Sequence, residues 1–343
     1  MNFLCQNCGK MYEITSLNYT CSCGGLFDFQ GTFIGEMKEM VSLGEPVTPI
    51  ITKSFNNYPL KLKLDHLMPT GSFKDRGAKV LISALKKLGI EEVVEDSSGN
   101  AGAAIAAYCA AAGIDCQIYV PESASGSKLK QIQAYGAEVV KVPGDRDDTS
   151  RAVKKACKNN YYASHIYNPL FFEGTKTIAH EIYQQIGIPK TMVIPAGNGT
   201  LLLGVYKGFY ELGNLPKIIA VQSERCAPLT QESDDTTVSA SSNPTGDTIA
   251  KGIAAKNPPR KLEMLKAISD SRGQVLTVSE DEIKSSRQAL WNKGIFVETT
   301  AAVAVAGAIK LFDATSSFES TGTLKTDMQD VLVPLTGTGL KEF

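Results

Sequence analysis

The chain has 343 residues, more than one hydrophobic core usually holds, so two domains with a small additional module are expected. Its 43% hydrophobic and 21% charged residues are ordinary globular values, and a net charge of −1 gives no footprint for nucleic acid or a membrane surface. No apolar run reaches the roughly 18–20 residues of a spanning helix, and "MNFLCQNCGK" lacks the charged-then-apolar pattern of a secretion signal, so a cytoplasmic protein is expected.

Residues 1–30 read as a cysteine module. Cys5 and Cys8 form a CxxCG turn and Cys21 and Cys23 a CxCGG turn. Two pairs presenting four thiolates to one ion are the pattern of a structural zinc ribbon. The second pair has one intervening residue where two are usual, and the alternative is a degenerate ribbon that packs without metal. Cys109, Cys116, Cys157 and Cys226 are scattered singly, as small buried hydrophobes are.

Beyond a connecting stretch, "LKLKLD" (60–65) alternates as a strand does. A helix after Arg76 sets Ala78, Val80, Leu81, Ala84 and Leu85 on one side and stops at Gly89. A strand–helix unit then repeats: "EEVVED", the Ala-rich helix "AGAAIAAYCAAAG", "CQIYVP", "SKLKQIQAYGA", "EVVKVPG", "DDTSRAVKKACKNN" and "YYASH". A second series follows: the helix "EGTKTIAHEIYQQIG", the strand "TMVIPA", the helix "GTLLLGVYKGFYELG" and the strand "KIIAVQS". Such alternation predicts two α/β domains built on parallel sheets. Residues 230–247 are rich in Ser, Thr and Asp and read as a mobile loop or lid. A strand and capped helix (273–294), a closely packed Ala-rich helix within 295–312 and a last strand with a glycine turn complete the chain.

Four loops carry the chemistry. Ser97, Ser98, Gly99 and Asn100 follow a strand and open a helix, at the carboxyl end where open α/β sheets bind ligands. The same residues would also serve as a plain N-cap turn. Gly197, Asn198, Gly199 and Thr200 lie between a strand and a helix and form a phosphate cradle in outline, neither GxGxxG nor a Walker loop, and suited to a monophosphate. The alternative is a tight strand-to-helix turn. Thr336 and Thr338 stand on the last glycine turn. Lys74 in "TGSFKDRG" is either a surface charge or an amine nucleophile.

"PTGSFKDRG", "SSGNAG", "EGTKT", "PAGNGT" and "LTGTGLK" together resemble the pyridoxal-phosphate enzymes of the tryptophan synthase β-like fold (fold type II), and within them threonine synthases. The likeness runs from about residue 46 to the end, and the cysteine module resembles one found on some members. The resemblance implies an N-terminal module at 1–30, a large cofactor domain from 31–75 and 165–343, and a small inserted α/β domain at 76–164. It implies that Lys74 holds pyridoxal 5'-phosphate covalently and later takes the substrate α proton, and that Asn100 bonds the ring's phenolic oxygen. Gly197, Asn198, Gly199 and Thr200 would bind the phosphate, Thr336 would face the pyridine nitrogen, and Ser97 and Ser98 would lie by the substrate carboxylate. A homodimer acting on a small amino acid is implied, with zinc in the module.

One departure stands out. The family's "NPxRxxGxKT" reads "NPLFFEGTKT" here, so Phe171 replaces an arginine aimed at the substrate phosphate. Lys176 remains, either as a partial substitute or as a salt-bridged helix lysine. Three functions compete: a threonine synthase-like γ-elimination and replacement on O-phosphohomoserine, a β-elimination or β-replacement (serine/threonine deaminase-like or cysteate synthase-like), and a scaffold without turnover. Intact Lys74, Asn100 and Thr336 argue against the last. His66 lies eight residues before Lys74 and is a weaker candidate, and Glu298 and Thr299 read as caps of the Ala-rich helix.

Overall fold

Parallel sheets do follow from the strand–helix alternation, and they form in two separate places. The computed structural model describes residues 2–30, 40–232, 247–316 and 330–342. The chain divides into a first unit of Met1–Pro46, Met68–Thr177 and Lys341–Phe343 and a second of Val47–Leu67 and Ile178–Leu340.

In the first unit, β1 (Asn2–Cys5), β2 (Met11–Glu13) and β3 (Phe27–Gln30) make an antiparallel sheet in the order β2-β1-β3. The rings of Phe3 and Phe27 stack in its core at 5.9 Å. Strands β6 (Glu92–Glu95), β7 (Asp115–Pro121), β8 (Glu138–Val142) and β9 (Tyr161–Tyr162) form a parallel sheet ordered β8-β7-β6-β9. Helices α1 (Lys74–Lys87), α2 (Asn100–Ala112), α3 (Ser127–Ala134) and α4 (Arg146–Ala156) alternate with these strands. Helix α2 is Ala-rich because it is buried along Ala101–Cys109, packed between α1, α3 and β7, where long side chains would not fit. It stops at Gly113, whose φ of 71° is the left-handed C-cap expected there.

Two local expectations needed correction. Strand β9 is only two residues long, because the Ser164 hydroxyl accepts the N–H groups of Ile166 and Tyr167 and turns the chain away. The helix expected from Glu173 is two helices, α5 (Pro169–Thr175) and α6 (Thr177–Ile186). Asn168 caps the first through the Leu170 N–H, with Pro169 at the opening position. The Thr177 hydroxyl bonds back to the Gly174 carbonyl at the break.

The second unit holds a six-stranded sheet ordered β12-β11-β10-β13-β5-β4. Its strands are β4 (Ile50–Phe55), β5 (Tyr58–Lys63), β10 (Thr191–Pro195), β11 (Lys217–Ser223), β12 (Gln274–Val278) and β13 (Val331–Pro334). All pairings are parallel except the β4–β5 hairpin, which turns on Asn56 and Asn57, both at positive φ. Around the sheet lie α7 (Thr200–Glu211), α8 (Lys261–Asp270), α9 (Glu280–Trp291) and α10 (Thr299–Ser316). The close packing expected of the Ala-rich helix is present: Ala301 to Ala306 are all buried against the sheet. Lys63 is wholly buried, yet its ammonium donates to the Thr48 carbonyl (2.6 Å) and Gln185 (2.8 Å) and pairs with Glu181. Most of the polar loop expected at 230–247 lies outside the described residues. Among the described residues, no helix is long and apolar enough to cross a membrane.

Candidate active site

The stretch "TGSFKDRG" folds into a turn that aims one lysine. Gly71 takes φ 84°, a conformation glycine adopts freely, and the Asp75 carboxylate reaches back to the Thr70 N–H (2.7 Å) and hydroxyl. Burial pushes the Asp75 carboxyl up to about 6 despite these bonds. Lys74 then opens α1, half-buried, its Nζ 4.9 Å from the Phe73 ring centroid and 5.6 Å from that of Phe171. Two residues before it, the Ser72 hydroxyl is buried without a hydrogen-bond partner. The Arg76 guanidinium donates to the Thr177 hydroxyl at 3.3 Å.

Phe171 is fully buried. Its ring lies where α1 and α5 cross, so close that a Cβ on Gly77 would meet it at 2.2 Å. On the same face a Cβ on Gly174 would meet the Arg76 carbonyl at 2.1 Å. The crossing is therefore built for two glycines and a flat ring. Lys176 is also buried and pairs with Glu173 at 2.5 Å, so its charge is balanced within its own segment.

Ser97, Ser98 and Gly99 link β6 to α2, and Asn100 is the first residue of that helix. The loop is held close to the helix: a Cβ on Gly102 would stand 1.9 Å from the Ser97 carbonyl oxygen. The first N–H groups of α2 face this loop without intrahelical partners, as at any helix start. Lys341, present in the sequence motif but given no role by sequence reasoning, places its Nζ 3.4 Å from the Asn100 Oδ1. The Asn100 amide oxygen is the acceptor in that contact. The tail is fastened by Ser127, whose hydroxyl donates to the Lys341 carbonyl at 2.6 Å.

In the second unit, Gly197, Asn198 and Gly199 connect β10 to α7, and Thr200 begins the helix. Gly199 has φ 86°, and a Cβ there would strike Met264. A Cβ on Gly197 would stand 2.8 Å from the Ile253 Cα. Glycine thus leaves room for backbone N–H groups to approach an anion at the positive end of α7. Thr336 is buried after β13, and its hydroxyl donates to Glu298 Oε1 at 3.3 Å. The Glu298 side chain, read from the sequence as a helix cap, is thus buried against Thr336 and crowds Gly337. Thr299 accepts from Arg287 at 2.7 Å. His66, the weaker candidate, is half-buried, and its Nδ1 has no hydrogen-bond partner.

The Sγ atoms of Cys5, Cys8, Cys21 and Cys23 all lie within 4.8 Å of one another, the nearest at 3.5 Å. A tetrahedral zinc site with Zn–S near 2.3 Å needs sulfurs about 3.8 Å apart. The irregular CxC spacing does not prevent convergence. The Cys23 backbone N–H and the Tyr12 hydroxyl lower the Cys21 thiol to about 5, toward the thiolate that binds metal.

Residues 41–337 match the family model described as pyridoxal-phosphate dependent enzyme. The chain is 32% identical to a threonine synthase of Methanocaldococcus jannaschii over 381 aligned residues, spanning 98% of this chain and 92% of that one. It is also 32% identical to a threonine synthase of Methanosarcina acetivorans, over 90% of this chain and 86% of the relative. Among solved structures, the serine racemase of Dictyostelium discoideum superposes with a TM-score of 0.71 at 25% identity, covering 86% of this chain and 93% of that one. The residues present fit the group the family model names. There is an amine at a helix start, a buried orphan hydroxyl beside it, and a glycine cradle into which a Cβ would not fit.

Proposed function

The chain belongs to the pyridoxal-phosphate-dependent enzyme family, with its fold type II α/β architecture, and on that premise we propose that it is a threonine synthase-like lyase forming threonine and phosphate from O-phosphohomoserine. The observation that carries this reading is the likeness to threonine synthases along nearly the whole chain, cysteine module included. A homodimer in the cytoplasm belongs to the same reading.

Bound pyridoxal phosphate supplies the electron sink that makes loss of an amino-acid α proton possible. Every other task falls to the chain. The Lys74 amine holds the cofactor and, once released by the incoming amino acid, takes the α proton at Nζ. The N–H groups at residues 197–200 take the phosphate, helped by the α7 dipole. Asn100, oriented by Lys341, donates to the ring oxygen. Ser97 and Ser98, with the first N–H groups of α2, bind the substrate carboxylate. Thr336, its proton directed to Glu298, offers an oxygen lone pair on the side of the ring nitrogen.

One observation favours a second reading. Phe171 occupies the place of the phosphate-binding arginine and is locked between glycine-lined helices, and Lys176 is balanced by Glu173. Neither residue offers a charge to a substrate phosphate, which suits β-elimination or β-replacement on serine, threonine or O-phosphoserine. A substrate panel separates the two: threonine and free phosphate from O-phosphohomoserine support the first. No product from it, with pyruvate or 2-oxobutanoate from serine or threonine, or phosphate released from O-phosphoserine, supports the second.

The four thiolates are proposed to hold one structural zinc. About one equivalent of zinc should accompany the purified protein, and Cys8→Ser should lose most of it and unfold the module at lower temperature. Zinc-free protein with an unchanged melting profile would count against the site.

A further inference from the structure

Lys341 puts a positive charge where one is disfavoured. Its Nζ stands 3.4 Å from the Oδ1 of Asn100, the first residue of α2. The start of a helix is its positive end, so a cation there is repelled unless an anion joins the two. No acidic side chain lies in the first turn of α2. The tail that bears the lysine is nonetheless fixed in place, its Lys341 carbonyl accepting from the Ser127 hydroxyl at 2.6 Å.

The residues that place it all belong to the first unit. Ser127 opens α3, and Gln131, four residues on, lies on the same face of that helix. Gln131 Nε2 donates to the Thr70 carbonyl at 3.2 Å, so α3 ties the tail to the turn that presents Lys74. Helix α3 also packs on the start of α2, where a Cβ on Gly102 would stand 3.1 Å from Ile132 Cδ1. The lysine, the 97–100 loop and the 70–74 turn are thereby held as one group, and the Ser72 hydroxyl in that turn is wholly buried without a partner. The Asp75 carboxyl feels the Lys341 charge, but burial pushes it up to about 6, and both its oxygens accept from Thr70. An ammonium has several donors, and Asn100 engages one of them at the long end of hydrogen-bond range.

Resting on the threonine synthase-like reading above, we propose that the Lys341 ammonium binds the phosphate of the substrate and so selects amino acids with a phosphorylated side chain. The first N–H groups of α2 take the α-carboxylate, and the lysine beside them takes the second anion. A phosphate monoester carries roughly −1.5 to −2 charge at neutral pH. Phe171 offers it nothing, and the Lys176 charge is balanced by Glu173. Lysine meets phosphate as a point charge on a flexible stem, without the fork geometry that an arginine needs. A lysine on the tail can therefore stand in for an arginine on α5. With the anion bound, the repulsion between the ammonium and the positive end of α2 becomes a shared attraction for one ligand.

The test uses the full-length holoenzyme and two ligands that cannot lose phosphate, each read by the change it makes in the cofactor's visible absorbance. One is the phosphonate in which a methylene replaces the ester oxygen of O-phosphohomoserine. The other is 2-aminohexanoate, which has the same α-carboxylate and a neutral chain end. Wild type should bind the phosphonate more tightly, by roughly tenfold or more, as a hydrogen bond to a charged group allows. Lys341→Met should lose that preference with 2-aminohexanoate binding unchanged, and Lys341→Arg should keep it. A Lys341→Met variant with the full preference overturns the proposal and leaves the threonine synthase-like reading standing. Equal weakening of both ligands also overturns it, because Lys341 would then serve the carboxylate or Asn100. No preference in wild type overturns the proposal and that reading together. Should Lys341→Met not hold cofactor, Lys341→Gln takes its place. Loss of cofactor from both would assign the lysine to the cofactor's hold and overturn the proposal.

Discussion

Lys74→Ala should lower turnover by roughly a thousandfold or more while leaving both sheets folded. The lysine opens α1 and is half-exposed, so alanine, a better helix former, fits its position without a cavity. What disappears is the amine that holds the cofactor and accepts the α proton. The variant should have a melting temperature near wild type and retain cofactor only by its phosphate and ring contacts, washing out on dialysis. Cofactor retained as in wild type, with the same visible spectrum, would mean that another group holds it.

Gly102→Ala should have the largest effect on stability among single methyl additions near the site. The added Cβ would stand 1.9 Å from the Ser97 carbonyl oxygen and 3.1 Å from the end of Ile132. The first atom belongs to backbone and cannot rotate away, so the 97–100 loop or the start of α2 must move. Overpacking of this kind destabilises by about 3 kcal/mol. Chemical denaturation measures it directly. Because the displaced loop carries Ser97, Ser98 and Asn100, cofactor and substrate binding should weaken together with stability. A variant as stable as wild type would mean that the loop is not pinned by this contact.

The parts legible in the sequence are those whose chemistry is local. Lys74, the 97–100 loop and the 197–200 loop each combine a glycine or hydroxyl cluster with a strand–helix boundary, and each occupies such a boundary in the structure. The four cysteines were legible because thiol pairs in tight turns have few other uses, although CxC spacing alone would not place Cys23 in the group. What escaped depends on distant residues meeting. Glu95 and His165 are 70 positions apart and come together only through the parallel pairing of β6 with β9. Glu298 stands before a helix and has a cap's address, but a buried hydroxyl 38 residues later draws its side chain away. Strand β4 was missed although the Asn56-Asn57 turn marks the hairpin, and α8 was missed because its apolar face is short. Phe171 reads from the sequence as a departure from the family's motif, and in the structure its ring lies so close to Gly77 that a Cβ there would meet it at 2.2 Å.

The most direct test of the central claim is chemical. The protein as purified, with its cofactor, is treated with borohydride, which makes a lysine–cofactor bond permanent, then digested and mapped by mass spectrometry. The cofactor mass should be found on the peptide containing Lys74 and on no other. Its appearance on a different lysine, or on none in protein that retains the cofactor's visible absorbance, would contradict the assignment.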